Sequence, residues 1–164
     1  MSPVKRDQPL VPSLLDRLLD NEPDNPREPA KQRFQVLREL KQSVQRDLEN
    51  LLNTRWRCSQ WPPDLDQLDT SLINYGIPDF SGVRFASPNA QEELRRVLER
   101  VVQTFEPRFK DVRVVIIENS DPTDRTMRFR IEALLRVEPE PEPVVFDTIL
   151  ETAKGEFDVK EAHV

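Results

Sequence analysis

The chain has few of the residues on which thiol and histidine chemistry depends. Its 164 residues include one cysteine, Cys58, and one histidine, His163. A single cysteine excludes an internal disulfide, and a reduced, cytosolic setting is the simplest fit. A lone cysteine whose only histidine lies at the far terminus gives no nucleophile–base arrangement. We therefore expect no thiol catalysis, no metal site and no cofactor.

Glycine is also scarce, with three glycines against fifteen prolines. No glycine-rich phosphate loop is present, because no G-x-G spacing occurs and no lysine follows the glycines of residues 72–82. In so glycine-poor a chain, we expect Gly76 and Gly82 to take backbone angles that other residues reach only at a cost. The prolines cluster before Lys31, at residues 61–63 and at residues 139–143, which indicates stiff tails and connectors.

Long hydrophobic runs are absent. The N-terminus has no apolar core of a signal peptide, and no apolar stretch approaches the ~18 residues that span a bilayer. The sequence therefore predicts no direct membrane insertion and a cytoplasmic location.

Acidic charge dominates, but unevenly. The formal net charge is −6, and residues 138–164, with eight acids and two lysines, account for all of it. Residues 33–57 carry a basic excess. This balance argues against a duplex nucleic-acid binder, which normally has a net basic face. A nucleic-acid site at Arg128, Arg130 and Arg136 is an alternative, but these arginines fit an acidic partner or the acidic tail better.

Two segments have the apolar spacing of amphipathic helices. The first runs from about Gln32 to Asn53, and its apolar residues recur at three- and four-residue steps. The second follows Ser87 and Pro88, a hydroxyl cap with proline at the first helical position, and ends near Phe105. Both helices need a sheet, or each other, to cover their apolar stripes.

Strand patterns follow the second helix. Residues 112–117 are largely apolar and predict a central strand. Residues 127–137 alternate at period two, with one face apolar and the other basic. Residues 144–150 predict a third strand, antiparallel because its connection is short, and residues 155–159 a short fourth. The predicted fold class is α+β, with two amphipathic helices packed on a small antiparallel sheet of three to four strands that has open edges.

The predicted organisation has three parts. Residues 1–30 form an N-terminal arm, residues 31–150 the main domain and residues 151–164 an acidic C-terminal tail. Within the arm, residues 12–20 predict a short helix with Leu14, Leu15, Leu18 and Leu19 on one face. Two turns are too short to hold a helix alone in water, so this helix must dock on its own domain or on a partner.

The segment Phe105-Glu106-Pro107-Arg108-Phe109 lies between the second helix and the first strand. Proline disfavours helical geometry at Glu106, so the helix should end at or just before it. One interpretation is a helix stop whose Glu106 and Arg108 form a weak surface ion pair. The other is a pre-ordered charged turn that is presented to a partner. On chemistry alone the first interpretation is favoured, because exposed ion pairs are common and weak. The open sheet edges are a separate feature, which could accept a strand from another protein.

Several blocks, taken in order, are similar to the TssE family. They are residues 12–18, 43–55, 71–80 and 105–108, followed by 129–131 and 143–148. This family contains baseplate subunits of bacterial type VI secretion and is related to the lysozyme-like wedge protein of contractile phage baseplates. The resemblance covers about residues 12–150.

The resemblance implies a cytoplasmic, non-enzymatic assembly subunit at a membrane-docked baseplate. It implies wedge partners TssF, TssG and TssK, hub and inner-tube proteins nearby, and sheath subunits TssB and TssC, whose first ring such a subunit templates. The family's Glu-Pro-Arg motif corresponds to Glu106, Pro107 and Arg108, and it implies contacts to the wedge core there. With Leu14, Leu15 and Leu18 of the arm, these are the predicted partner-binding residues.

A peptidoglycan-cleaving, lysozyme-like hydrolase is the alternative function. Glycoside cleavage needs two carboxyl groups about 5–9.5 Å apart, one of them protonated. Glu106 beside Phe105 is the candidate acid, but Arg108 favours its ionised form, and no second carboxylate is distinguished. We therefore expect no enzyme activity.

Overall fold

The computed structural model describes residues 13–18, 32–56, 62, 64–80, 87–119 and 126–162. Three α-helices and four β-strands form in chain order within these ranges. The helices are α1 (Leu14–Leu18), α2 (Arg33–Asn53) and α3 (Pro88–Phe105). The strands are β1 (Phe109–Ile117), β2 (Met127–Leu135), β3 (Glu142–Glu151) and β4 (Glu156–Glu161). Two short 3-10 helices, Asp66–Thr70 and Leu72–Asn74, lie between α2 and α3.

The two long helices form where the apolar spacing predicts them. In α2 the buried residues recur at helical steps, and in α3 they do the same: Leu40, Val44, Leu48, Leu51 and Leu52; then Leu94, Leu98, Val101 and Val102. Ser87 occupies the N-cap position of α3 and Pro88 follows it, but the Ser87 side chain makes no capping hydrogen bond. The start of α3 therefore depends on Pro88, whose fixed φ suits the first helical position, and not on a hydrogen bond from Ser87.

The four strands form one antiparallel meander in the order β1-β2-β3-β4. The predicted α+β class with two helices on a small open sheet is confirmed. Strand β4 comes from the segment that the sequence assigns to the acidic tail, and it pairs with β3 from Phe146 opposite Glu161 to Glu151 opposite Glu156. These tail residues therefore belong to the sheet.

The prediction that residues 112–117 form a central strand is wrong. Strand β1 pairs only with β2 and lies at one edge of the sheet. A nearly continuous apolar run is typical of a strand covered on both faces, but here helix α3 packs beside β1 and accounts for part of the apolar character. Val112 and Ile116 are half-buried against the core, whereas Val114 is buried.

The core lies between the two helices and one face of the sheet. Strand β2 contributes every second residue to it, and Phe129 and Ile131 are fully buried. Phe146 of β3 contacts Phe109 at a ring-centroid distance of 6.4 Å. Burying a side chain of this size stabilises the fold by roughly 1.5–3 kcal/mol. Because α2, α3 and all four strands contribute to this one core, it holds the end of α3 and the sheet edges in place; the candidate site lies there.

Gly76 takes a backbone conformation that other residues reach only with strain. Its φ is +109°, and the neighbouring Ile77 exchanges backbone hydrogen bonds with the end of α2: its amide donates to the Thr54 carbonyl and its carbonyl accepts from the Trp56 amide. A Cβ atom at Gly76 would lie 2.4 Å from the Thr54 carbonyl oxygen. The prediction for Gly76 is thus confirmed, whereas Gly82 lies outside the described residues.

We expect Gly76→Ala to lower the free energy of unfolding by about 1–3 kcal/mol, because positive φ and a backbone collision act together. Gly155→Ala is the matched control, since Gly155 also has positive φ (+71°) but a Cβ there would meet only the Arg55 side chain, at 3.4 Å. Its cost should be about 1 kcal/mol. Urea denaturation of both variants measures the difference, and equal losses would contradict the collision.

Candidate partner-binding site

The Glu-Pro-Arg segment forms a tight turn between α3 and β1. The Glu106 amide still donates to the Val102 carbonyl at 2.9 Å, and the Phe109 amide donates to the Glu106 carbonyl at 3.1 Å. Pro107 therefore occupies the second position of a four-residue turn, where its fixed φ is favourable. The Arg136 amide, just after β2, donates to the Arg108 carbonyl at 2.7 Å and anchors the turn to the sheet.

The Glu106 carboxylate is buried under this turn and is held by one guanidinium. Only 4% of Glu106 is exposed. Arg108 donates from Nε to Oε1 of Glu106 at 2.6 Å, from Nη2 to Oε2 at 2.5 Å, and from its backbone amide to Oε1 at 3.2 Å. Such a two-pronged, charge-assisted contact is among the strongest hydrogen-bond arrangements in proteins. The pair is therefore not the weak surface ion pair of the first interpretation.

Helix α2 supplies the other partners of Arg108. The Nη2 group donates to Oδ2 of Asp47 at 2.7 Å, and Nη1 donates to the Ser43 hydroxyl at 3.3 Å. Burial alone would lower the pKa of Arg108, but hydrogen bonds and charges from Glu106 and Asp47 outweigh it and raise that pKa above its usual value. The guanidinium therefore stays charged and joins the turn to α2.

Helix α1 extends the same network. Asp16 accepts from the Ser43 hydroxyl at 2.7 Å and from Nη2 of Arg46 at 2.9 Å. Burial would raise the pKa of Asp16, but hydrogen bonds from Ser13, Ser43 and Arg46 outweigh it and lower the pKa from 3.8 to about 2. We call Asp16, Ser43, Arg46, Asp47, Glu106 and Arg108 the Arg108 cluster; it joins α1, α2 and the turn.

Two leucines of α1, Leu15 and Leu18, have exposed side chains. Leu15 is 56% exposed and Leu18 is 81% exposed, whereas Asp16, on the polar side, is the residue that contacts the domain. Leu14 begins the helix. The sequence leaves open whether α1 docks on its own domain or on a partner. In the structure α1 contacts its own domain, through Asp16 on its polar side.

The loop of residues 71–80 closes over the end of α3. The Tyr75 ring meets the Phe105 ring edge-on at a centroid distance of 5.4 Å. Burial raises the pKa of Tyr75, and the negative charges of Asp47 and Glu106 raise it further. Tyr75 is therefore half-buried beside the Arg108 cluster.

Both edges of the sheet are partly covered by side chains of the helices. At β4, Asn53 and Gln45 of α2 bond to the backbone of Phe157 and Val159. At β1, Glu99 and Arg95 of α3 bond to the backbone of Val114. No further strand of the described residues pairs with either edge, so the edges are open to backbone pairing yet occupied by side chains.

Among the candidate nucleic-acid arginines, Arg130 and Arg136 bond to groups of the protein itself. Arg130 makes a two-pronged contact with Asp147 on β3, at 2.8 and 3.2 Å. Arg136 donates from Nε to the Phe109 carbonyl at 3.1 Å. These bonds favour a structural role for both side chains over phosphate binding.

Within the described part of the chain, no helix combines the length and apolar character needed to cross a membrane. The same residues contain no group of three or more histidine, cysteine, aspartate or glutamate side chains arranged to hold a metal ion.

Comparison with known proteins agrees with this architecture. The family model of baseplate wedge protein gp25 matches residues 38–140, which is more than half of the chain. The chain belongs to the gp25 family of baseplate wedge proteins. It is therefore a structural component of a baseplate, and the expected resemblance to baseplate wedge subunits is confirmed.

This gp25-family protein was also compared with solved structures and with curated proteins. A solved chain described as part of "The baseplate complex from the type VI secretion system" has 19% sequence identity and a TM-score of 0.49, and the similarity covers 79% of this chain and 99% of that chain. No curated protein matches the chain in sequence.

Sequence reasoning identified Glu106, Pro107 and Arg108 but missed their partners on α2. Ser43 is the buried polar residue on a stripe that is otherwise apolar, and Asp47 lies one turn further along the same side. A small polar residue inside an apolar stripe is a signal that a hydrogen-bonding partner approaches there. The sequence could have suggested such a contact, but not its partner, because Arg108 is 61 residues away from Asp47.

We expect Arg108→Ala to lower the free energy of unfolding by about 2–4 kcal/mol, because it leaves the Glu106 carboxylate buried without its partner. Arg46→Ala is the matched control, since that side chain is 44% exposed and also contacts Asp16 and Asp47. Its cost should stay below about 1 kcal/mol. Urea denaturation tests both values, and a loss for Arg108→Ala no larger than for Arg46→Ala would show that the pair does not hold the turn.

Acid should release α1 before the core unfolds. The pKa of Asp16 is lowered by docking, so its stabilising contribution is complete above about pH 4 and is lost as the pH falls toward 2. We expect the NMR signals of residues 13–18 to shift over this interval, and Asp16→Asn to show the released signals already at pH 6. Far-UV circular dichroism monitors the core in parallel. Identical α1 signals in Asp16→Asn and the natural chain at pH 6 would contradict the docking role of Asp16.

Proposed function

We propose that this gp25-family protein is the TssE-type wedge subunit of a type VI secretion baseplate. In this proposal it is a structural, non-enzymatic part that joins the wedge subunits TssF, TssG and TssK, with hub and inner-tube proteins nearby. It then seeds polymerisation of the TssB–TssC contractile sheath by strand addition. The proposed location is the cytoplasmic side of a membrane-docked baseplate. The single observation that carries wedge binding is the outward apolar side of α1.

The orientation of α1 supports wedge binding by the arm. A short amphipathic helix normally buries its apolar side, because that burial supplies most of its stability. Here Asp16 holds α1 by its polar side, so Leu15 and Leu18 remain available. A partner that covers both side chains would gain roughly 1.5–3 kcal/mol for each. We propose that Leu14, Leu15 and Leu18 enter a wedge interface.

The Glu-Pro-Arg turn contributes to the same interface as a rigid surface. Pro107 is exposed, whereas Glu106 is buried and Arg108 is bonded to Glu106 and Asp47. We propose that Pro107 and the accessible part of Arg108 contact the wedge, and that Glu106 positions them. A turn that is already ordered loses little conformational freedom on binding.

Strand addition is the proposed route to sheath assembly. The sheet ends at β1 and β4, and an added strand would satisfy backbone groups of both proteins. The rigid meander removes part of the ordering cost of a first sheath ring.

The hydrolase alternative has less support from the site. Both Glu106 oxygens accept hydrogen bonds from Arg108, and Asp47, the other carboxylate near it, bonds to the same guanidinium. Neither carboxylate of the pair is offered to a sugar, and a glycosidase needs one of its two carboxyl groups to donate a proton. We therefore propose an assembly role without catalysis.

Co-purification with the wedge and sheath subunits tests the proposal. We expect the intact chain to retain the wedge subunits, and a chain lacking residues 1–20 or carrying Leu15→Ser and Leu18→Ser to lose at least about 90% of them, because the apolar contact is removed. Leu72→Ser is the matched control, since Leu72 is 85% exposed but lies outside α1.

The turn is tested in the same assay. Pro107→Ala should weaken wedge retention while urea denaturation shows a folded protein. If the α1 double variant and the Leu72 control retain wedge subunits equally, α1 is not the docking element. Turnover of purified cell wall by the isolated protein would instead favour the hydrolase.

A further inference from the structure

Residues 64–74, which contain both 3-10 helices, expose large apolar side chains; we call them the 64–74 loop. Leu72 is 85% exposed, Ile73 is 50% exposed and Leu65 is 46% exposed. Neither 3-10 helix of the loop has a buried residue. Single exposed leucines are ordinary on a protein surface, but three large apolar side chains so close in the chain mark a place where another molecule binds.

The loop is attached to the core at its C-terminal end. The Tyr75 ring packs edge-on against Phe105, and the nearby Ile77 is fully buried. Within the loop, the Asn74 side chain donates from Nδ2 to the Asp69 carbonyl at 3.3 Å and so ties the second 3-10 helix to the first. The exposed side chains therefore stand on an ordered backbone, which loses little conformational freedom when a partner covers them.

The backbone of the loop is already hydrogen-bonded within itself. Four of its amides or the amide just after it donate to the carbonyl three residues earlier, and these are the amides of Leu68, Ser71, Asn74 and Tyr75. The loop therefore offers side chains and no row of unpaired backbone groups. Its partner must present an apolar face, which is what an amphipathic helix does.

The charges on the loop are all negative. Asp64, Asp66 and Asp69 are exposed, and residues 62–80 contain no lysine, arginine or histidine. Among the residues that the structure describes, no ion pair includes any of these three carboxylates. Their charge is therefore uncompensated, and it complements a partner that carries lysine or arginine.

Arg55, two residues after α2, approaches the loop only through its backbone, which forms an isolated bridge with Ile77. Its guanidinium donates instead to the carbonyls of Leu52 and Gly155. The loop carboxylates repel an anionic lipid surface and the phosphates of nucleic acid. The occupant that fits both the apolar side chains and the charge is therefore a basic polypeptide.

We propose that the 64–74 loop is a docking surface for a basic amphipathic helix of a partner protein, and that this partner is distinct from the wedge subunits that α1 retains. The apolar face of the helix covers Leu65, Leu72 and Ile73, and its lysine or arginine residues lie beside the three aspartates of the loop. This inference goes beyond the proposed function and does not depend on it.

The difference in charge between the two surfaces supports two separate partners. On α1, Asp16 is bonded to Ser43 and Arg46, so leucine side chains are what that surface offers. A wedge surface that covers Leu15 and Leu18 needs no basic residues. The loop combines its apolar side chains with three uncompensated carboxylates, so it selects a partner of different chemistry.

Two labelled helical peptides of about 18 residues test the charge of the occupant. Both have leucines at the same three- and four-residue steps, and the remaining positions are lysine in one peptide and glutamate in the other. We expect the full chain to bind the lysine peptide at least about tenfold more tightly, because only that peptide complements the aspartates.

A charge variant of the full chain locates the binding site. Replacing all three loop aspartates by asparagine should weaken binding of the lysine peptide about tenfold. The matched control removes three exposed carboxylates at the turn between β3 and β4, through Glu151→Gln, Glu156→Gln and Asp158→Asn. It should change binding less than about twofold, because Lys154 and Lys160 compensate charges there.

An apolar variant tests the other half of the surface. Leu72→Ser should weaken binding of the lysine peptide about tenfold, because it removes the most exposed apolar side chain of the loop. Phe34→Ser is the matched control, since Phe34 is 64% exposed but lies on α2, and its effect should stay below about twofold. Thermal unfolding establishes that each variant is folded. Leu72→Ser should also retain the wedge subunits in co-purification.

The peptide measurements can overturn the inference in two ways. Equal binding of both peptides, or preference for the glutamate peptide, overturns the basic occupant. Equal weakening by the two charge variants overturns the loop as the binding site. Self-association of the natural chain that Leu72→Ser abolishes would identify a second copy as the occupant, and binding to phosphatidylglycerol vesicles would identify a lipid surface; either result overturns the partner protein.

Co-purification separates this inference from the proposed function. Loss of wedge subunits from the Leu72→Ser variant overturns the separate partner and leaves the wedge role in place. If the intact chain retains no wedge subunits but binds the lysine peptide through the loop, the proposed function fails and the docking surface stands.

Discussion

A single guanidinium joins the turn between α3 and β1 to helix α2. Arg108 bonds to the buried Glu106 below it and to Asp47 and Ser43 on α2, while Ser43 passes the contact on to Asp16 of α1. A buried carboxylate without such a partner would be expensive, because its charge would be removed from water without compensation. The turn between α3 and β1 therefore keeps one conformation. Through that turn, the helices and the sheet edges keep fixed positions relative to one another.

Polar groups at the edges of the sheet are also paired, here by side chains of the helices. An open sheet exposes backbone groups that invite pairing, and soluble proteins reduce that hazard in several ways. This protein uses side chains of the helices that cover the sheet: Asn53 and Gln45 at β4, Arg95 and Glu99 at β1. Neutral amides therefore cover backbone groups at the β4 edge, and an ion pair covers them at the β1 edge.

Periodicity was enough to predict most of the fold. Helix α2 begins at Arg33 and α3 ends at Phe105, as the apolar spacing and Pro107 indicate, and the alternation in β2 predicts the strand best covered on one face. The position of β1 was wrong, because an apolar run beside a helix resembles the run of a central strand. The contacts of the site were beyond reach for a different reason. Asn53 meets Phe157 across 104 residues, and no local pattern specifies such a pair.

The proposed assembly role depends on a sheet whose edge strands, β1 and β4, are left for another protein to pair with. Amide hydrogen exchange, measured on the free chain and on the same chain in the assembled baseplate with sheath subunits, tests it most directly. The account predicts that outward amides of an edge strand, Val112 and Ile116 of β1 or Val159 and Glu161 of β4, gain at least about tenfold protection on assembly. Unchanged exchange at all four amides would contradict it.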